Sequence, residues 1–500
     1  MLVPLNIPPG VYSNGTEYQS KGRNFDANLV RWQFGALGPV GGWRKRTEYT
    51  EATDSYATVT GKARRVISWR DNNSQAWSAI GTHSNLYAMT ISGVLSDITP
   101  TGLTVGRADA TTGAGYGSGG FGEGPFGQSN PEAYTTLLPA SIWSLDTFGE
   151  ILLGVLPDDG KLYEWNLNTN VVATQVTNAP ISNKCVLVTP ERIVMCLGAA
   201  GVPRDIAWSD QEDRNEWTAA ANNQAGNFSL QTAGTILNAV NVKGGSLIFT
   251  DKDVWRVVYL GPPLVYGFPQ DNAGGGLVSA GAVTTADGAA YWMSHENFYV
   301  YTGYSQPIAC DVHDSVFKDI NRAQISKVTA WHNASFGEIW WFYPSADSIE
   351  NDKYVVYDYR ERHWNKGNLS RLCATDKAPL PYPIAVDAYG YVYDHEVGYN
   401  HDGEISFIEH GPVELGTGEN SSNLTFLYPD ESAQGDVSIT FKTKMYPNGT
   451  ERSFGPYTAT RQPVPIRVHG RQMLVKAIGA ASTNWRLGIP RIEVKPGSKR

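Results

Sequence analysis

The chain is 500 residues long, with 41% apolar and 18% charged residues and a formal net charge of −9. Its length exceeds one ordinary core and its apolar content exceeds that of a disordered chain, so two or three folded domains are expected. No apolar run approaches the ~18 residues of a membrane helix, which excludes a helical membrane protein as the expectation.

Glycine (52), tryptophan (15) and tyrosine (26) are abundant while long Leu/Ala/Glu/Lys tracts are absent, a profile of an all-β protein with many turns. Residues Met1 to Pro9 have neither a basic start nor a long apolar run and are not read as a secretory signal. Cys185, Cys196, Cys310 and Cys373 lack C-x-x-C spacing, so buried free thiols are expected rather than a disulfide or zinc framework, as in a chain assembled in a reducing cytoplasm.

Residues 1–60 form a loop-rich arm, with Pro8-Pro9-Gly10 and Asn14-Gly15, too thin for its own core; it is expected to add strands to another domain. From Ala63 a pattern of strand, turn and aromatic strand repeats. Units fall at 75–93, 149–169, 192–217, 247–261, 289–306, 338–364 and 385–400. Reference points at Trp77, Leu152, Val194, Leu247, Ala290, Trp340 and Val386 are separated by 75, 42, 53, 43, 50 and 46 residues, and all but the first gap match the ~40–50 residue period of propeller blades. The unit Phe336–Trp364 shows why. Glu338-Ile339-Trp340-Trp341-Phe342-Tyr343 and Lys353 to Tyr359 do not alternate apolar with polar, so both sheet faces must be covered by similar sheets. This predicts a β-propeller of about seven blades (six to eight) over 61–404. Two successive β-sandwiches are the competing architecture, disfavoured because sandwich strands alternate more cleanly.

The long first gap holds a glycine-rich insertion, 113–131, with Tyr116, Phe121 and Phe126 as its aromatic points. Asp311 to Ile320 reads as a short helix, with Val312, Val316 and Ile320 on one face and Asp311 placed to cap it. After Ile405 the strands become longer and more polar, and 405–500 is read as a β-sandwich-like platform domain that the N-terminal arm can complete. Charge divides unevenly: in 461–500 nine basic residues face only Glu493, giving +8 and leaving −17 for the rest. That end meets an acidic partner or is a solvated face.

No catalytic, metal or cofactor site is assigned. Gly115-x-Gly117-x-x-Gly120 lacks the strand and helix of a dinucleotide fingerprint. Asp394, His395, Glu396, His401 and Asp402 cluster without metal-ligand spacing. Trp208 to Trp217 lacks the glycine of a sialidase-type aspartate box, and no pair of carboxylates can be nominated for glycoside hydrolysis. The chain is accordingly read as a non-enzyme.

Several phrases carry a resemblance: Leu247-Ile248-Phe249-Thr250-Asp251 with Val254-Trp255-Arg256-Val257, Gly261-Pro262-Pro263 and Gly274-Gly275-Gly276-Leu277; Phe298 to Gly303; Tyr354 to Glu361; and the ending Trp485 to Gly497. With these the chain resembles tail nozzle (hub or knob) proteins of short-tailed bacteriophages, which include packaged-DNA stabilisation proteins. The resemblance implies a homo-oligomeric, hexameric ring in the virion tail, assembled in the host bacterial cytoplasm beneath an adaptor. Such a ring continues the DNA channel, retains the packaged genome and permits its ejection. Implied partners are adaptor or portal-side tail proteins, tail fibre or needle proteins, and double-stranded DNA passing without sequence-specific binding. An acidic wall suits sliding DNA, since a basic lining would hold its phosphates. On this reading Tyr116, Phe121 and Phe126 are candidates for channel or subunit contacts, and Arg467, Arg471, Arg486 and Arg491 for adaptor contacts. The alternative is a receptor-binding or glycan-processing propeller at the virion tip.

Deletion of residues 113–131 is expected to impair ring assembly or genome retention, measured by particle imaging and infectivity; normal assembly with full infectivity would exclude both contact roles for the insertion.

Overall fold

The computed structural model describes residues 1–6, 8–51, 55–114, 134–272, 274–414, 420–446 and 448–497. It is a seven-bladed β-propeller joined to a two-sheet sandwich. Each blade is an antiparallel sheet whose first strand lies innermost. Those first strands are Ala63–Arg70, Ser144–Phe148, Cys185–Val188, Ile236–Val242, Val283–Ala286, Thr329–Asn333 and Cys373–Thr375. Each contacts the next, and the seventh contacts the first, so the ring is closed. The sequence units 75–93 to 385–400 begin at or near the second strand of each blade, because those strands carry the aromatic runs. Among the described residues no helix is long and apolar enough to cross a membrane.

Blade 6 shows how the aromatic phrases build the ring. Every residue of Glu338–Tyr343 is buried. Successive side chains of a strand point to opposite faces. Trp341 therefore joins Phe298 of blade 5, with ring centroids 4.8 Å apart, while Trp340 packs on Tyr354 at 4.6 Å in a cluster shared with Trp43 and Tyr393 of blade 7. Burying each such side chain contributes about 1.5–3 kcal/mol before its ordering entropy is counted.

Blade 7 is the exception in connectivity. Its own chain supplies three strands, Cys373–Thr375, Ile384–Val386 and Val392–His395, and the arm supplies the fourth, Trp43–Lys45. The Trp43 indole N–H donates to Asp402 Oδ2 at 2.7 Å. The Arg371 guanidinium lies 5.0 Å from its ring and 4.1 Å from that of Tyr393. Arg46 bridges Asp394 at 2.7 Å.

The rest of the arm enters the sandwich. Leu2–Pro4 pairs with Arg491–Pro496, in a sheet continued by Ser422–Tyr428 and Val464–Gly470. Asn24–Asn28 pairs with Phe407–Glu414, in a second sheet with Gln472–Gly479, Val437–Lys444 and Arg452–Thr458. Alternation is clean here: Val437–Lys444 and Val464–Gly470 bury every second residue, as sheets with one solvated face do. The buried faces merge with blades 4 to 6 in one continuous core that includes Leu424, Ile439, Val475, Trp292 and Trp341.

The arm is locked where the two domains meet. Arg31, on the hairpin strand Val30–Gln33, donates to Glu338 at 2.5 and 2.6 Å and to Glu396 at 2.7 and 3.0 Å, with its guanidinium 3.6 Å from the centre of the Phe336 ring. The second carboxylate is tolerable because Trp340, Asn333 and the Gly41 N–H also donate to the pair. Burial alone would lower the Arg31 pKa, but Glu338 and Glu396 outweigh it and the guanidinium stays charged.

The predicted helix is shorter than its pattern, His313–Phe317, and starts after Val312. Val312, Val316 and Ile320 are buried as the spacing requires, but Asp311 does not cap the helix; its carboxylate accepts from Arg23 at 2.7 Å instead.

Arg31→Met is expected to lower stability by about 3–5 kcal/mol in chemical denaturation, because two carboxylates are left buried without their cation. Arg44→Ala, whose side chain is 60% exposed, should change stability by less than about 1 kcal/mol in the same assay.

Candidate functional site

Among the described residues, one mouth of the propeller axis is covered by a single segment. The covering segment is the connection between blades 1 and 2, which flanks the glycine-rich insertion. Ala110 exchanges two hydrogen bonds with the side chain of Gln324, before blade 6, at 2.9 and 3.0 Å. Asp109 accepts from the fully buried Lys327 at 2.5 Å, and the Ala108 carbonyl accepts from the fully buried Arg64 at 2.8 Å. Glu350 completes this group, accepting from Arg64 at 2.6 and 2.9 Å and from Lys327 at 3.2 Å. On the returning limb the Ala140 N–H donates to Ser326. Ile142 reaches Gly281 at the entry to blade 5, where an added Cβ would lie 3.5 Å from Ile142 Cδ1 and 2.9 Å from Thr329 Cγ2. The clash that requires glycine there is with Thr329 and the Val328 carbonyl, also 2.9 Å away, while Ile142 would be in ordinary contact.

Below this cover the channel holds two lobes of about 280 and 320 Å³. They share Arg65, Ile67, Val240 and Thr285. Asp146 lines one lobe; His332, Trp331 and Asp376 line the other. Asp146 Oδ2 accepts from the Val188 N–H at 2.7 Å and Oδ1 from the Thr147 N–H at 2.8 Å. Burial nevertheless pushes its pKa up to about 6, against those bonds and the attraction of Arg65. Burial holds His332 below the ordinary imidazole range. Its Nε2 lies 3.1 Å from the Tyr359 hydroxyl, which donates to Asp287 at 3.0 Å. The arrangement presents polar groups that can bind a ligand.

Sequence reasoning singled out none of these channel residues. They sit on, or just beyond, short and rather polar inner strands such as Ser144-Leu145-Asp146-Thr147-Phe148, while the repeat was anchored on the aromatic strands that follow. The usable signal was position: the strand preceding each aromatic run.

Tyr116, Phe121 and Phe126 lie outside the described residues. Arg467 and Arg491 are exposed on the outer face of the sheet formed by 2–4, 491–496, 422–428 and 464–470, as is Lys495; none of the three forms an ion pair among the described residues. Arg486 turns inward and donates to Gln33 of the arm. Arg471 lies at the bend between two strands, 5.5 Å from the Tyr446 ring centre. The 394–402 cluster is engaged elsewhere: Asp394 with Arg46, Glu396 with Arg31, His395 accepting from Arg371 at 2.9 Å, and His401 with the Val40 carbonyl at 3.0 Å. Asp358, Glu361 and His363 have ligand atoms within 4.8 Å of one another. Asp358 accepts from the Arg360 and Glu361 N–H groups at 2.9 and 2.8 Å, so a tight turn accounts for that grouping.

No family model and no curated protein matches this chain. Solved structures do share its fold. Virginiamycin B lyase from Staphylococcus aureus covers 68% of this chain and 97% of its own, with 6% identity and a TM-score of 0.41. The Pan2 WD40 domain of Neurospora crassa covers 73% and 97%, with 8% identity and a TM-score of 0.38. Exo-β-1,3-galactanase from Phanerochaete chrysosporium covers 90% and 100%, with 8% identity and a TM-score of 0.30. At these values only the propeller architecture is shared. The reading of this chain as a non-enzyme is corrected on one point: the similar structures include a lyase and a galactanase, so the lack of a catalytic sequence motif does not exclude catalysis.

The sign of the Asp146 effect is testable. With its folded pKa near 6 and its ordinary value at 3.8, the folded state binds more protons between those values, so its contribution to stability falls as pH rises through that window. Urea unfolding at pH 4.5 and pH 7 should show this slope in the native chain and a flatter one in Asp146→Asn.

Proposed function

We propose that this protein is a structural tail component of a short-tailed bacteriophage, a nozzle or hub subunit that assembles as a ring beneath an adaptor. In that place it continues the DNA path, retains the packaged genome and lets it leave on infection. The proposal rests on the resemblance of the blade phrases and of the 485–497 ending to that family. The single structural observation that supports it is the exposed sheet face with Arg467, Arg491 and Lys495, carried on a sandwich that shares a core with blades 4 to 6. A cationic face on a rigid mount can dock an acidic adaptor surface without ordering new chain, which keeps the entropic cost of assembly low. The acidic remainder of the body, −17 over residues 1–460, leaves DNA free to slide along it.

A second reading, a receptor-binding or glycan-processing propeller at the virion tip, is favoured by one feature: the two polar lobes of the channel, which share Arg65.

Negative-stain imaging of the purified protein with its adaptor is expected to show a six-fold collar. Arg467→Glu with Arg491→Glu should abolish collar formation while leaving the unfolding midpoint unchanged. A monomer that never joins the adaptor, or a double variant that assembles normally, would overturn the nozzle reading or the docking face respectively.

A further inference from the structure

The channel contains an unusual group. Arg65 stands where the two lobes meet, and its guanidinium makes no hydrogen bond and no ion pair with any described residue. Its Nε is buried and without an acceptor. The neighbouring Arg64 shows the ordinary solution, a bidentate pair with Glu350. A guanidinium offers five N–H donors in a planar fork and does not give up its proton in proteins. The residue is half-buried and only its Nε is shielded from solvent, so the remaining N–H groups stay available to an anion with two coplanar oxygens. A second donor lacks an acceptor in the same surroundings: the indole N–H of Trp331, which lines the larger lobe.

The rest of the wall limits the anion. Asp146 and Asp376 line the two lobes, one on each side of Arg65, so a dianion such as phosphate would meet two carboxylates. A ligand with a single charge and several hydroxyls would instead donate to them and to Thr285. Lobes of about 280 and 320 Å³ are at the small end of ligand pockets, and the cover formed by Ala110, Ala140 and Ile142 prevents a polymer from threading through. We propose that the channel binds one small polyhydroxy monocarboxylate, a sugar acid, with its carboxylate on Arg65 and its hydroxyls on Asp146 or Asp376. This holds for a free subunit as well as for a ring, so it stands or falls independently of the tail reading. It gives the glycan-binding reading a chemical class.

Isothermal titration calorimetry on the full chain, at one ionic strength, tests it with D-glucuronate, D-glucose, acetate and inorganic phosphate. Glucuronate should saturate one site per chain, and glucose and acetate should bind at least about tenfold more weakly, the loss of a charge-assisted bond set or of the hydroxyls. Arg65→Met should weaken glucuronate at least about tenfold and leave the chain folded, because it removes a half-buried cation that no described residue pairs. Arg65→Lys should fall between. A glucuronate-terminated oligosaccharide that binds as well as the free acid would identify a glycan end as the source; binding of the free acid alone would identify a soluble one. Absence of saturable glucuronate binding, phosphate binding as tight as glucuronate, unchanged affinity in Arg65→Met, or failure of that variant to fold would each overturn the proposal.

Discussion

The structure depends on one cation held between two carboxylates. Arg31 reaches Glu338 in blade 6 and Glu396 just after the third strand of blade 7, so a single guanidinium fixes the arm against both blades. Three residues of chain beyond that hairpin, whose second strand is Ala36–Pro39, lies Trp43–Lys45, the strand that closes the ring. Before it lie the strands that complete both sheets of the sandwich. A buried ion pair is weak support for stability when compared with an apolar replacement, but displacing the arm would leave Glu338 and Glu396 without their cation. The arm thereby sets how the two domains are joined.

Closure by a strand distant in sequence has a second consequence. Every blade covers its neighbours, so none can leave the ring without exposing large aromatic faces, and the outermost position of blade 7 is held by hydrogen bonds between chain segments about 350 residues apart. Trp43, stacked near Arg371, and Arg46, paired with Asp394, reinforce that seam. The Arg371 guanidinium in turn is pushed down to about 10, chiefly by burial, and donates to a His395 held neutral by the same burial.

The covered mouth and the channel beneath it follow from the same architecture. A connection between adjacent blades ordinarily stays at the rim; here it crosses the axis because buried Arg64 and Lys327 require carboxylates and carbonyls that residues 108–110 and Glu350 provide. Charge burial thus covers one mouth of the channel, and Arg65, one residue along, is left with no bonded partner among the described residues.

Much of the fold was legible in the chain. Trp340-Trp341 and its counterparts announced sheets buried on both faces, and their spacing of 42 to 53 residues after the first unit announced a propeller. The clean alternation of Val437–Lys444 marked the separate sandwich. What could not be read was which remote segments meet. Arg31, Glu338 and Glu396 have no local pattern in common, and Arg65 looks like any strand arginine until the ring places it at the axis, with Asp146 and Asp376 on the walls but no carboxylate bonded to it. Sequence determines element type because periodicity and side-chain size act over a few residues. The closing strand, the covered mouth and the unpaired channel cation were decided only in three dimensions, where long-range pairing and the cost of desolvating charge select one arrangement.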